Sequence, residues 1–255
     1  MCTLVLLRRP DAAWPVIIGA NRDEMQGRPW LAPGRHWPDR PNVTAGLDQL
    51  AGGSWMGLND EGVFAAMLNR MGTLGPMAGK RSRGELVLEA LDHSDAVDAA
   101  RALSDLDPAA YRPFNMVIAD NRDAFWLRAD GASVRAIPLQ DGISIITAFE
   151  VNDIQDARIK TFLPRFRQAA APDPESDDWT DWRALLASTA PEGVLDREAG
   201  LCFQLDNGFG TRSSALAALP AIGRFGVPPV FLFAADKPDR ADYAPVSGLI
   251  GQTSP

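Results

Sequence analysis

Histidine, cysteine and lysine are all scarce in this chain. Two histidines, His36 and His93, stand far apart in 255 residues, too few and too scattered for a His-built zinc site or a Ser-His-Asp hydrolase. The two cysteines, Cys2 and Cys202, lie 200 positions apart, and in a reducing compartment such a pair is two free thiols rather than a bridge. Only three of the 25 basic residues are lysine (Lys80, Lys160, Lys237), a bias that fits a GC-rich coding sequence better than a function. Positive charge is itself in the minority: 25 basic against 33 acidic residues leave a net charge of −8. That balance works against nucleic acid and anionic membrane surfaces, which are held by clustered Lys and Arg. No apolar run approaches the ~18 residues of a membrane-spanning helix. The opening Met1-Cys2-Thr3-Leu4-Val5-Leu6-Leu7-Arg8-Arg9-Pro10 has no basic n-region and too short an apolar core for a signal peptide. The expectation is a soluble, cytoplasmic protein whose partner is a small-molecule substrate or ligand, with no nucleic acid and no integral membrane segment. A homo-oligomer stays open.

What the chain does have is ordinary bulk: 46% apolar and 23% charged residues, enough to bury roughly three quarters of the unfolded surface without staples. Thr3 to Leu7 and Val16 to Ala20 read as a hairpin around Pro10-Asp11, followed by a Pro-rich loop from Asn21 to Pro41. Ser54 to Leu58 and Val63 to Leu68 pair through the turn Asn59-Asp60-Glu61-Gly62. Ser82-Arg83-Gly84-Glu85 resembles a capping box that opens a helix, and Asp95 to Leu103 gathers Ala96, Ala99, Ala100 and Leu103 on one face. Strands follow at Phe114 to Ala119, Ala124 to Arg128, Val134 to Leu139 and Ile143 to Thr147. Two helices come next, Asp153 to Ala170 and Trp179 to Thr189, then strands at Thr211 to Leu219, Ile222 to Phe225 and Val230 to Ala234. Strand blocks separated by helix pairs point to antiparallel sheets covered by helices rather than to βαβ units. With no fixed-period repeat and no long linker, a single domain over 1–255 is expected.

Familiar cofactor motifs fail on inspection. Gly75-Pro76-Met77-Ala78-Gly79-Lys80-Arg81 is one residue short of a phosphate-binding loop and has Arg where Ser or Thr should meet magnesium. Neither Cys-x-x-Cys nor His-Glu-x-x-His occurs, so no metal site and no cofactor are expected. What remains starts at Cys2. A residue this small after the initiator lets Met1 be removed, which leaves a thiol and a free α-amine on one residue, with reference pKa values near 8.5 and about 8. Nucleophile and base are then the same residue, as in N-terminal threonine enzymes. The plainer reading is a small hydrophobe at a strand start. Asn21-Arg22-Asp23-Glu24 follows directly on the hairpin partner of that strand and so ends near Cys2. There an Arg favours the thiolate and an Asp holds the α-amine. Read alone, the tetrad is a solvated charged turn.

The opening Met-Cys, Asn21 to Glu24, Arg28-Pro29, Gly46-Leu47-Asp48, Gly52-Gly53-Ser54-Trp55-Met56-Gly57, Asn69-Arg70, Ser82 to Leu86, Phe114-Asn115 with Ala119-Asp120, and Gly208 to Ser213 occur in the order found in the NRDE family, also called the Transport and Golgi organisation protein 2 family, and the chain resembles it over nearly its whole length. The resemblance implies an α+β, αββα four-layer sandwich like that of N-terminal-nucleophile hydrolases, whose relatives include cysteine amidases acting on conjugated bile acids and penicillin V. It also implies roles. Cys2 matches the nucleophile, Asp23 the aspartate at its amine, Asn69 an oxyanion-binding amide and Arg212 a late arginine near the thiol. Those amidases carry an arginine just before the Asn of this segment. Here Ala20 stands in that place and the arginine is Arg22. A second amidase Asn falls near Thr147, which has no amide donor, and one lost oxyanion donor costs on the order of a hundredfold in rate. Asn21, Glu24, Trp55, Asn115 and Thr147 are the candidates for contact with substrate, although Trp55 reads equally as core.

Two functions follow. One is hydrolysis of a non-peptide amide, or a thioester, through acyl-Cys2. The other, favoured by Thr147 and the displaced arginine, is a binding or carrier protein for haem or a lipid-like ligand, since relatives are tied to secretory organisation, lipid metabolism and haem trafficking. Haem ligation would fall to His36, His93, Cys or Met, none in a recognisable motif.

Overall fold

The computed structural model describes residues 2–190, 192–194 and 196–249. Met1, on whose removal the reading of Cys2 turns, lies outside them.

Two antiparallel sheets stack face to face, and each carries a helix pair on its outer side. The first sheet is ordered β10 (Gly142–Ile146), β1 (Thr3–Arg8), β2 (Val16–Met25), β11 (Phe209–Leu219), β12 (Val230–Ala234), β13 (Ala244–Pro245). The second runs β3 (Trp30–Gly34), β4 (Val43–Asp48), β5 (Met56–Asn59), β6 (Phe64–Asn69), β7 (Phe114–Ala119), β8 (Ala124–Ala129), β9 (Val134–Pro138). Helices α1 (Gly84–Leu91) and α2 (Ala96–Ser104) cover the second sheet, and α3 (Ala157–Gln168) and α4 (Thr180–Leu186) cover the first.

This layering explains why β1 is apolar at four consecutive positions, Leu4 to Leu7. Leu4 and Leu6 point between the sheets, while Val5 and Leu7 point at the helices, and all four are buried. A strand covered on both faces has no reason to alternate. The middle layer is filled by Leu4, Leu6, Ile18, Phe64, Leu68, Val117, Phe231 and their neighbours. Beneath α2 lie Ala96, Ala99, Ala100 and Leu103, the face expected from the sequence, and Asp95 caps that helix by accepting from the N–H of Asp98.

The expected turn at 59–62 forms with Gly62 at φ +89°, and Asn59 ties it down by accepting from Val63 N–H and donating to the carbonyls of Leu91 and His93. Other expectations change. β2 does not stop at Ala20 but continues through the charged tetrad, because β11 pairs with it as far as Met25. The presumed loop 21–41 contains β3, and β4 and β13 escaped notice. The capping box is absent: Arg83 is the N-cap without a side-chain bond, and Glu85 instead accepts from the hydroxyl of Tyr111 and pairs with Arg81. Ile222 to Phe225 is a turn rather than a strand, with Phe225 94% exposed.

Candidate active site

The site is built on β2. Thr3 pairs with Asn21, which brings Cys2 alongside the tetrad. The Asp23 N–H donates to Cys2 Sγ at 3.4 Å, and the thiol faces the Asp23 carbonyl at 3.5 Å. Strand alternation then divides the tetrad between two faces. Asn21 and Asp23 point to the helix side. There Asn21 Nδ2 donates to the carbonyls of Leu186 and Leu201 at 2.9 and 2.8 Å, and its Oδ1 is buried without a partner among the described residues. The Asp23 carboxylate accepts from Thr211 Oγ1 at 2.9 Å and from Arg158 at 3.3 Å, both charged side chains being almost wholly buried. Arg158 also donates to Thr3 Oγ1 and to the Glu198 carbonyl, and its guanidinium lies over Phe203.

Arg22, by contrast, points between the sheets. Its guanidinium lies 4.5 Å from the ring centroid of Trp55, and its nearest carboxylate is Glu24 at 3.7 Å, which Arg28 shares at 3.6 Å. Arg28 in turn pairs with Asp48 at 2.6 Å. Together Cys2, Arg22 and Trp55 line a narrow cleft whose other walls are mainly apolar, among them Leu4, Ala20, Met56, Leu68 and Ala215. The cleft is tight as it stands, with a volume of about 20 Å³, and reaches about 330 Å³ only when the spaces between atoms and the open mouth are counted. Trp55 can occupy its place because position 46 is glycine: a Cβ there would sit 2.4 Å from the indole. Burial pushes the Cys2 thiol above its ordinary value, and the Asp23 charge adds to this more than the Arg22 charge relieves it. Burial also lowers Arg22. This environment favours the protonated thiol over the thiolate.

The remaining candidates, Asn69, Asn115, Thr147 and Arg212, do not line this cleft. Asn69 ends β6, half-buried, on the face it shares with its cross-strand neighbour Phe114, and it makes no side-chain hydrogen bond among the described residues. The Asn115 amide is fully used: Nδ2 donates to the carbonyls of Thr147 and Phe149, and Oδ1 accepts from Arg70 and Trp126. Thr147 Oγ1 donates to Asp156, the N-cap of α3. Arg212 is the extra residue of a bulge between Thr211 and Ser213, where it donates to the carbonyls of Glu24 and Gly208 and to Gln204. It lines a second, polar cavity with Gln26, Gln204, Lys237 and Arg240, and not the cleft of Cys2. Sequence reasoning missed Arg158 and Thr211. The pairing of β2 with β11 brings Thr211 to Asp23, and only the packing of α3 against the first sheet brings Arg158 there. His36 Nε2 lies 2.8 Å from the Ala32 carbonyl in the loop after β3, and His93 follows α1. Cys202 is buried, with its thiol pushed up to about 12 by burial and by Asp239. Among the described residues no group of three or more His, Cys, Asp or Glu comes together to hold a metal, and no helix is long and apolar enough to cross a membrane.

Comparison with known proteins follows the same lines. The profile of the family described as Transport and Golgi organisation 2 matches residues 1–171. No curated protein matches the sequence at a significant level. Solved structures do share the fold. An N-acylethanolamine-hydrolyzing acid amidase ortholog from Caenorhabditis elegans superposes with a TM-score of 0.59 at 13% identity, covering 94% of this chain and 98% of that one. Penicillin V acylase from Agrobacterium tumefaciens gives 0.56 at 12% identity, with 92% and 83% covered. A variant of conjugated bile acid hydrolase from Clostridium perfringens gives 0.52 at 12%, with 96% of each chain covered. At these identities the likeness is one of fold: the αββα sandwich of N-terminal-nucleophile hydrolases.

Proposed function

The chain belongs to the Transport and Golgi organisation 2 family, and on that premise we propose that it is an N-terminal cysteine hydrolase of a non-peptide amide or thioester, with Cys2 as nucleophile once Met1 has been removed. The observation that carries this reading is the half-buried Cys2 sulfur in a largely apolar cleft, with a backbone N–H already donating to it. The Cys2 α-amine takes the thiol proton as sulfur attacks the substrate carbonyl. Collapse of the oxyanion expels the amine, which takes that proton with it. Water then attacks the thioester, giving one proton back to sulfur and releasing the acid. We assign the oxyanion to a backbone N–H at the cleft, because the uncommitted amide of Asn69 lies on the helix-side face that it shares with Phe114. Asp23, anchored by Arg158 and Thr211, holds the amine. Arg212 orders the 204–208 loop from the other side of the bulge.

A second reading has its own support. The Asn115 amide and the Thr147 hydroxyl are committed to structure, which leaves the cleft poor in amide donors and suits a carrier of an apolar ligand. The two are separated by intact mass and adduct formation. An enzyme shows loss of the Met1 mass and, with an activated N-acyl amide, an acyl increment on Cys2 that Cys2→Ala abolishes. Retained Met1, or identical behaviour of Cys2→Ala, leaves the carrier. Because burial holds the thiol above its ordinary value and the amine acts as base only when neutral, the rate of acylation should climb with pH as the α-amine, with a reference value of about 8, loses its proton. A rate flat from pH 6 to 9 would contradict the assignment of the amine as base.

A further inference from the structure

Arg22 is 7% exposed, and its Nη1 has no hydrogen-bond partner among the described residues. Such a group is an unusual one to bury: a guanidinium keeps its proton at any ordinary pH and presents its N–H groups in a fixed plane. Trp55 covers one face of that plane at 4.5 Å, so the remaining bonding capacity lies at the edge. The Glu24 carboxylate does not meet this need, since it stands 3.7 Å away, shares that oxygen with Arg28 and spends the other on the N–H of Met25. Trp55 repeats the pattern, for its Nε1 is buried and unpartnered too. Two neighbouring residues that line one cleft thus each hold a buried donor without a partner among the described residues, and no described Asp or Glu lines that cleft. Buried donors are ordinarily satisfied, and a buried cation is ordinarily paired.

From this we infer that Arg22 and Trp55 form a carboxylate clamp, and that the ligand of this cleft joins an apolar body to a single carboxylate. A carboxylate offers two oxygens in one plane, one for Arg22 Nη1 and one for Trp55 Nε1. Leu4, Ala20, Met56, Leu68 and Ala215 receive the apolar body, and Met56, unbranched and adaptable, is the wall that gives as the ligand enters. A phosphate is the poorer match, because a dianion would meet one loosely paired cation. The inference rests on the proposed function only in taking the cleft of Cys2 as the place where ligand binds, and it names the class of that ligand.

The test uses the full chain with Cys2→Ala, which binds without turnover, and the pair N-decanoylglycine and N-decanoylglycinamide, which differ only in carboxylate against carboxamide. Calorimetry should give the acid roughly tenfold tighter binding. Arg22→Gln should bring the two to within about twofold while leaving the amide unchanged. Trp55→Phe, which keeps a ring and loses the N–H, should cost the acid about threefold and the amide nothing, and it carries the test if Arg22→Gln does not fold. Equal affinities, no binding of either ligand, or an acid preference that survives both substitutions overturns the clamp. A third outcome, read in parallel on the chain with Cys2 intact, in which Arg22→Gln slows acylation by charged and neutral substrates alike with no effect on binding, also overturns it and makes Arg22 an oxyanion donor. Failure here is distinct from failure of the hydrolase reading: acid preference without any acyl-Cys2 leaves the clamp in place and removes the enzyme, while acyl-Cys2 formed equally from both ligands does the reverse.

Discussion

Two arginines are buried against opposite faces of β2 and are spent differently. Arg158, on the helix side, meets a carboxylate, a hydroxyl and a carbonyl, and lies over Phe203. Arg22, on the cleft side, stacks on Trp55 with an N–H unused and its nearest carboxylate 3.7 Å away. Both guanidiniums have given up water, which is costly unless fully compensated. Arg158 is compensated by the protein itself and locks α3, β1 and β2 together. The compensation of Arg22 is incomplete, and completing it falls to whatever enters the cleft. One is a structural charge, the other a receptor for a ligand.

Breaking the structural side gives the largest effect. Arg158→Met deprives the buried Asp23 carboxylate of its guanidinium and takes two donors from the Glu198 carbonyl. Removing one partner of a buried pair costs about 3–5 kcal/mol, so a thermal melt should drop by about 10 °C. A drop under about 2 °C would make the two arginines alike. Gly46→Ala comes next. Its Cβ would fall 2.4 Å from the Trp55 ring, and overpacking of this kind costs about 1–3 kcal/mol. Because the ring must move, ligand binding should fall with stability, whereas Gly27→Ala, with nothing within 4 Å of the new methyl, should alter neither. Urea midpoints and calorimetry on the two variants read both effects.

How much of this was legible in the sequence follows from where the information is local. Layering was legible: β1 has apolar residues at consecutive positions, which only a doubly covered strand needs, and the Ala96, Ala99, Ala100, Leu103 face fixed α2. The proximity of Cys2 to the tetrad was legible too, because a hairpin register carries over directly. What was not legible is the division of the tetrad. Four polar residues in a row look like a turn, and nothing nearby says that β11 extends the strand beneath them, so their alternation between faces stays hidden until that pairing is known. Arg158 was hidden for a related reason: its partner lies 135 positions earlier in the chain. The seat of the Trp55 ring depends on the room left by Gly46, an accommodation between two strands with no signature around Trp55 itself.

The smallest expected effect is the most discriminating. Arg22→Met replaces a desolvated cation with an apolar side chain of similar length, beside Trp55 and at the edge of the middle apolar layer. The loss is one stacking contact, worth about 0.5–2 kcal/mol, and one long ion pair whose carboxylate keeps Arg28. The gain is relief from holding a charge and an unmade hydrogen bond away from water, which is of similar size. The two nearly cancel, so the urea midpoint of the variant should stay within about 0.5 kcal/mol of the parent chain even as carboxylate binding is lost. An Arg22→Met variant as unstable as Arg158→Met would mean that Arg22 is held by the fold after all. The contrast between the two faces of β2 would then disappear, and with it the reason to look for an acid in the cleft.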